Sequence, residues 1–120
     1  MRSPRYGICQ TETELERHAA EELSHAMTIA KQIDYLGGVP TVQAQPVRTS
    51  EKAEDMLRFD LENENETVAN YCVRVRQAEE LGEFALAEHL RKILMEEQDH
   101  QIELASALGI NVTELSKTKA

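Results

Sequence analysis

Aromatic side chains are scarce in this sequence, which has no tryptophan, three tyrosines and two phenylalanines, 4% of its residues. Its hydrophobic 41% is therefore mostly Leu, Ile, Val, Ala and Met, a mixture that fills the seams between helices better than the core of a sandwich of short strands. Only five glycines and three prolines occur, and they are clustered, so a chain of many tight turns is excluded. The two cysteines, Cys9 and Cys72, form neither a CxxC motif nor a disulfide framework; Cys72 falls within an apolar stripe and is expected to be a buried free thiol. Basic residues are few as well. Thirteen Lys and Arg against 22 Asp and Glu leave a net charge of −9, which repels phosphate backbones and excludes a nucleic-acid partner. No apolar run approaches the roughly 18 residues of a membrane span. No apolar segment follows Arg2 and Arg5 as it would in a secretory leader, so the expected address is cytoplasmic.

What is present is a helical pattern in three pieces. A length of 120 residues suits a single domain. Residues 1–10 look irregular, and Thr11 with Glu14 has the spacing of a capping box, which predicts a first helix over about 12–36. Gly37, Gly38 and Pro40 stop it. Thr49 or Ser50 can cap a second helix over about 50–81. Gly82 breaks that helix, a third is predicted over about 83–108, and residues 110–120 look like a frayed tail. The break at Gly82 is short enough to force the second and third helices antiparallel. The earlier connection, about thirteen residues, reaches about 40 Å when extended, which matches the first helix and permits a crossover.

Each predicted helix carries an apolar stripe, and each stripe is interrupted near its middle by glutamate. The first runs Leu15, Ala19, Glu22, Ala26, Ile29, Ile33, Leu36; the second Leu57, Leu61, Glu64, Val68, Tyr71, Val75, Ala78. The third runs Leu86, Leu90, Ile93, Glu97, His100, Leu104, Ala107. Burying one unpaired carboxylate costs several kcal/mol, and several at one depth also repel one another. A shared cation removes both costs. Glu22 with His25, and Glu97 with His100, are each three residues apart and so share a helix face. Carboxylate and imidazole together form an O/N donor set suited to iron or manganese. Buried salt bridges are the competing reading, but no Lys or Arg falls within the three stripes. His18 is expected at the stripe's boundary, His89 exposed, Glu62 and Glu66 in solvent, and Met56 and Met95 in the core.

One Glu from each of two helices, with Glu-x-x-His from each of two others, is the recorded ligand pattern of ferritin-like di-iron carboxylate proteins. Beyond that pattern, HAAEELSHA followed by LGGVP, EDMLRFDLENE and ILMEEQDHQIELA resemble the bacterioferritin family over roughly residues 15–109. The resemblance implies an all-α, ferritin-like antiparallel bundle, with a long crossover between the first two of three long helices. It implies that Glu22 and Glu97 bridge two irons, His25 and His100 are terminal nitrogen ligands, and Glu64 is a terminal carboxylate. It implies also that the centre binds two Fe(II), reduces O2 or peroxide, and passes Fe(III) to a mineral core in a hollow oligomer.

Two departures from the family pattern are visible. The helix that supplies the family's other terminal Glu would precede Glu14, so three helices carry five of six expected ligands; Glu12 and Glu14 are too close in sequence to Glu22 to replace it. Haem is not expected, because bacterioferritins have Met directly after the first motif's Glu and Leu23 stands there. Two further functions stay open: a rubrerythrin-like, peroxide-reducing oxidoreductase without storage, and a shortened non-catalytic relative acting as an interaction module. Three stripes do not close a four-helix core, so a homo-oligomer of at least two chains is expected. Sedimentation at micromolar concentration checks this, with a dimer or larger species expected and a monodisperse monomer counting against it.

Overall fold

The computed structural model describes residues 4–41 and 43–111, with side chains from residue 12 onward. All regular structure in them is helical: α1 over Pro4–Tyr35, α2 over Ala53–Glu80 and α3 over Phe84–Ala107. No helix among the described residues is long and apolar enough to cross a membrane. Two compact units divide between Thr41 and Val42, so α1 stands in the first and the α2–α3 hairpin in the second.

The 32 residues of α1 start at Pro4, about two turns before the predicted start. The irregular stretch expected over residues 1–10 is thus helical from Pro4, and residues 1–3 lie outside the described residues. Proline suits the first helical position, where its fixed φ is already helical and its missing N–H has no partner to lose. Gly7 alone is too weak a breaker to stop the helix. The Thr11–Glu14 pair lies within α1, so the sequence signal for a cap marks no terminus.

The protected face of α1 also differs from the predicted stripe. It runs through Leu15, His18, Glu22, His25, Ile29 and Ile33, with His18 and His25 buried, while Ala19, Ala26 and Leu36 are exposed. Alanine is too small to define a face, and His18 and His25 take the place on it of their neighbours Ala19 and Ala26. Leu23 and Met27 are exposed with Ala19 and Ala26, an apolar strip that starts beside this face and runs round the helix. The C-terminus of α1 closes as a Schellman motif: Gly37 takes φ 85°, and Gly38 N–H donates to the Ile33 carbonyl at 2.9 Å.

In the second unit the segment before α2 is strapped onto its first turns. Arg48 donates to Glu62 Oε2 at 2.7 Å and lies 4.6 Å above the Phe59 ring centroid, combining an ion pair with a cation–π contact. Ser50 does not stand at the N-cap, which is Lys52, but its Oγ accepts from Lys52 N–H at 3.1 Å and donates to Asp55 Oδ2 at 3.0 Å. Its backbone N–H also meets Met56 Sδ at 3.2 Å. The hydroxyl thus fastens the helix start from two positions before the cap, and α2 begins at Ala53 instead of 50.

Helices α2 and α3 pack against each other. Leu61, Val68, Val75 and Ala78 are buried on α2, and Ala87, Leu90, Ile93, Glu97, His100, Gln101, Leu104 and Ala105 on α3. These largely match the predicted stripes. A core cluster of Leu61, Leu104 and Ala105 is joined by half-buried Leu57, Leu108 and Ile110. Ile110 belongs to the C-cap of α3, where its N–H donates to the Ala105 carbonyl at 2.8 Å; the rest of the expected tail, residues 112–120, lies outside the described residues. Met95 is 67% exposed, contrary to the core role expected of it, because it follows Leu90 and Ile93 off their face. Cys72 is a free thiol but only half-buried. Arg91 pairs with Glu79 across the hairpin near its turn.

The turn between α2 and α3 depends on Gly82, at φ 75°, with Glu83 N–H donating to the Ala78 carbonyl at 2.9 Å. That left-handed backbone costs an L-residue roughly 1–2 kcal/mol. No atom would lie within 4 Å of an added Cβ. Gly82→Ala is therefore expected to lose about 1 kcal/mol through backbone strain alone, lowering the melting temperature by a few degrees. Gly82→Asn should lose less. Thermal unfolding followed by circular dichroism checks this, and an equal loss for Asn would contradict a purely conformational cost.

Candidate metal centre

The α3 stripe changes from hydrocarbon to donor atoms for a single turn. After Leu90 and Ile93 come Glu97 and His100, then Leu104, each buried. Glu97 is 0% exposed and His100 1%. A helix advances about 100° per residue, so the i and i+3 side chains lie one above the other on the buried face. His100 Nδ1 and Glu97 Oε2 are 4.0 Å apart.

Glu64 comes to the same place from α2, where it stands between Leu61 and Val68 on the stripe. Its side chain is 14% exposed, and its Oε1 lies 3.7 Å from His100 Nδ1. One ligand atom from each of Glu64, Glu97 and His100 falls within 4.8 Å of the others. Separations of 3.7 and 4.0 Å exceed hydrogen-bond range. They fall within the span of ligands around one ion with bonds of roughly 2.1 Å. The donor set of two carboxylates and an imidazole fits Fe(II) or Mn(II) and lacks the thiolate that softer ions prefer.

Next to these ligands, Gln101 is buried at 4% exposure, and its Nε2 donates to Asn65 Oδ1 at 2.7 Å. The sequence reading missed both residues. Each follows a ligand directly, and their contact joins positions 36 apart, which no local periodicity reveals.

The other Glu-x-x-His motif, on α1, has the same internal geometry. His25 is buried, Glu22 is half-exposed, and His25 Nδ1 lies 3.7 Å from Glu22 Oε2. Of the five residues expected from the sequence, three are gathered in the second unit and two are paired within α1. His18, one heptad before His25, is buried at 8% instead of at the boundary, with Nε2 3.5 Å from Arg17 Nη2. His89 is half-buried, not exposed, while Glu62 and Glu66 face solvent as expected. Tyr35 is 81% exposed and Tyr71 half-buried.

Comparison with known proteins points the same way. The family model for the ferritin-like domain matches residues 7–110. The bacterial ferritin of Synechocystis sp. is 27% identical over 107 residues, covering 88% of this chain and 69% of that protein. The bacterioferritin of Desulfovibrio desulfuricans is 31% identical over 83 residues, 68% of this chain and 46% of its own length. That of Brucella melitensis is 22% identical over 111 residues, covering 87% and 69% respectively.

A carboxylate held at 0% exposure beside a second carboxylate costs stability unless a cation or proton offsets its charge. Glu97→Gln removes the charge and keeps the shape. In chelator-treated protein it is expected to leave the melting temperature unchanged or higher. The wild type should gain about 2.7 kcal/mol from Mn(II) at a hundredfold excess over Kd, and the variant much less. A clear fall in the metal-free melting temperature of the variant would instead make Glu97 a structural residue.

Proposed function

Since the chain belongs to the ferritin-like domain family, we propose that it binds Fe(II) at a carboxylate–histidine centre and oxidises it for storage or detoxification. The observation that carries this reading is the gathering of Glu64, Glu97 and His100 ligand atoms within 4.8 Å in the buried seam of the α2–α3 hairpin. The proposed iron ligands are those three residues of the second unit, and Glu22 and His25 of α1 are proposed as ligands of the same kind. Fe(II) is the substrate, and manganese the alternative ion for the same donors.

Glu97, Glu64 and Glu22 would supply carboxylate oxygens to the iron, and His100 and His25 would supply imidazole nitrogens. Carboxylate charge favours the higher oxidation state, so the same ligands that bind Fe(II) lower the cost of its losing an electron. Two Fe(II) supply the two electrons that convert O2 and two protons into hydrogen peroxide, or peroxide and two protons into water. The relatives named as bacterial ferritin and bacterioferritin support storage as the outcome. The exposed apolar strip of Ala19, Leu23, Ala26 and Met27 on α1 favours assembly with further copies of the chain.

An anaerobic Fe(II) titration followed by air tests the proposal. About two irons per chain, oxidised rapidly, is the expected result, with Glu97→Gln and His100→Ala each reducing the oxidation rate at least tenfold. Glu62→Gln, an exposed carboxylate away from the centre, is expected to leave it unchanged. No binding above background in the wild type would overturn the reading. Peroxide consumption that continues without accumulation of Fe(III) would favour a peroxide reductase that does not store iron.

A further inference from the structure

We propose that the Gln101–Asn65 hydrogen bond is a register lock that positions Glu64 and His100 for the metal, an inference that rests on the function proposed above. Gln101 follows His100 on α3 and Asn65 follows Glu64 on α2, so the two helices are tied one residue away from a ligand on each side. The bond is short, 2.7 Å from Nε2 to Oδ1, and its donor side chain is 4% exposed. The neighbouring contact between the ligands, His100 Nδ1 to Glu64 Oε1, is longer at 3.7 Å and is not a hydrogen bond.

The surrounding packing does not set this register with the same directionality. Leu61, Leu104 and Ala105 form the apolar cluster about one turn away, and dispersion contacts between such side chains tolerate small slips. A slip of one residue would move a ligand by about 1.5 Å along its helix and swing it by about 100°. Either would take Glu64 out of reach of an ion held by Glu97 and His100. An amide pair is suited to prevent this, because it is directional, uncharged and unable to compete with the carboxylates for the cation. Gln101 and Asn65 are thus positioning residues. They act through Glu64 and His100 and do not themselves bind the ion.

The test is Co(II) binding to the full chain, followed by the d–d absorption of the bound ion, with the thermal melting of the metal-free protein measured in parallel. Gln101→Leu keeps the volume and removes the bond. It is expected to weaken Co(II) binding roughly 10- to 100-fold, the usual range when a residue supporting a metal ligand is lost, and to change the d–d spectrum while the metal-free protein still melts cooperatively. The reciprocal swap, Asn65→Gln with Gln101→Asn, keeps the combined length of the two amides and is expected to restore affinity and spectrum to near wild type. Should Gln101→Leu fold poorly, Gln101→Asn alone shortens the bridge with less disturbance, and the same loss and the same rescue are expected. Unchanged affinity and spectrum in Gln101→Leu, beside a wild type that binds, would overturn the lock and leave the centre standing. Loss in both single variants without rescue by the swap would overturn it too. A wild type that binds no Co(II) would overturn the centre and the lock together.

Discussion

The burial of a carboxylate and an imidazole within one apolar seam is the constraint on which the second unit depends. Glu97 and His100 occupy positions of α3 that hydrocarbon fills a turn before and a turn after, at Ile93 and Leu104. A charged oxygen taken out of water loses several kcal/mol of solvation, and it brings Glu64 close enough to raise that cost. Apolar packing on both sides carries this load, since the helix must present the same face for the whole seam. The donor atoms are thereby held where water is scarce, and there their attraction for a divalent cation is strongest.

The hairpin makes this arrangement geometrically possible. Gly82 in the left-handed region lets α2 end and α3 begin within three residues, Leu81 to Glu83, so Glu64 and His100 stand at matching heights on either side of the turn. Near the turn the Glu79–Arg91 pair bridges the helices, and at the other end the Arg48 clamp and the Leu61–Leu104–Ala105 cluster hold the start of α2. Between them lies the amide pair of Gln101 and Asn65. Apolar burial supplies adhesion along the seam, whereas the polar contacts, which are directional, restrict its sliding.

On α1 the same motif is set differently. His25 is buried as deeply as the core of the second unit, but Glu22 keeps about half of its side-chain surface, and the helix also exposes Leu23 and Met27. A helix of 32 residues with one protected face bearing imidazoles and one exposed face bearing hydrocarbon has two surfaces that differ in what they can bind. The first suits a cation. The second suits another apolar surface, which accords with the proposal of an oligomeric iron-handling protein.

Much of this was legible from residue order alone. The all-α class, the break at Gly82 and the α2 and α3 stripes follow from periodicity, because the 3.6-residue turn makes a buried face repeat in the sequence. Four candidate donors, Glu22, Glu64, Glu97 and His100, stood out as a carboxylate or imidazole within an apolar stripe, and His25 was named from its spacing to Glu22. Less legible was whatever depends on a partner distant in the chain or on competition between weak signals. The start of α1 at Pro4 was hidden because Thr11 and Glu14 imitate a cap that a longer helix never uses. The burial of His18 was hidden because alanines at 19 and 26 carry too little surface to fix a face. Only the tertiary structure decided that Gln101 meets Asn65 and that Glu64 joins Glu97 and His100 in one small volume, since these meetings are set by how two helices pack and not by the spacing within either.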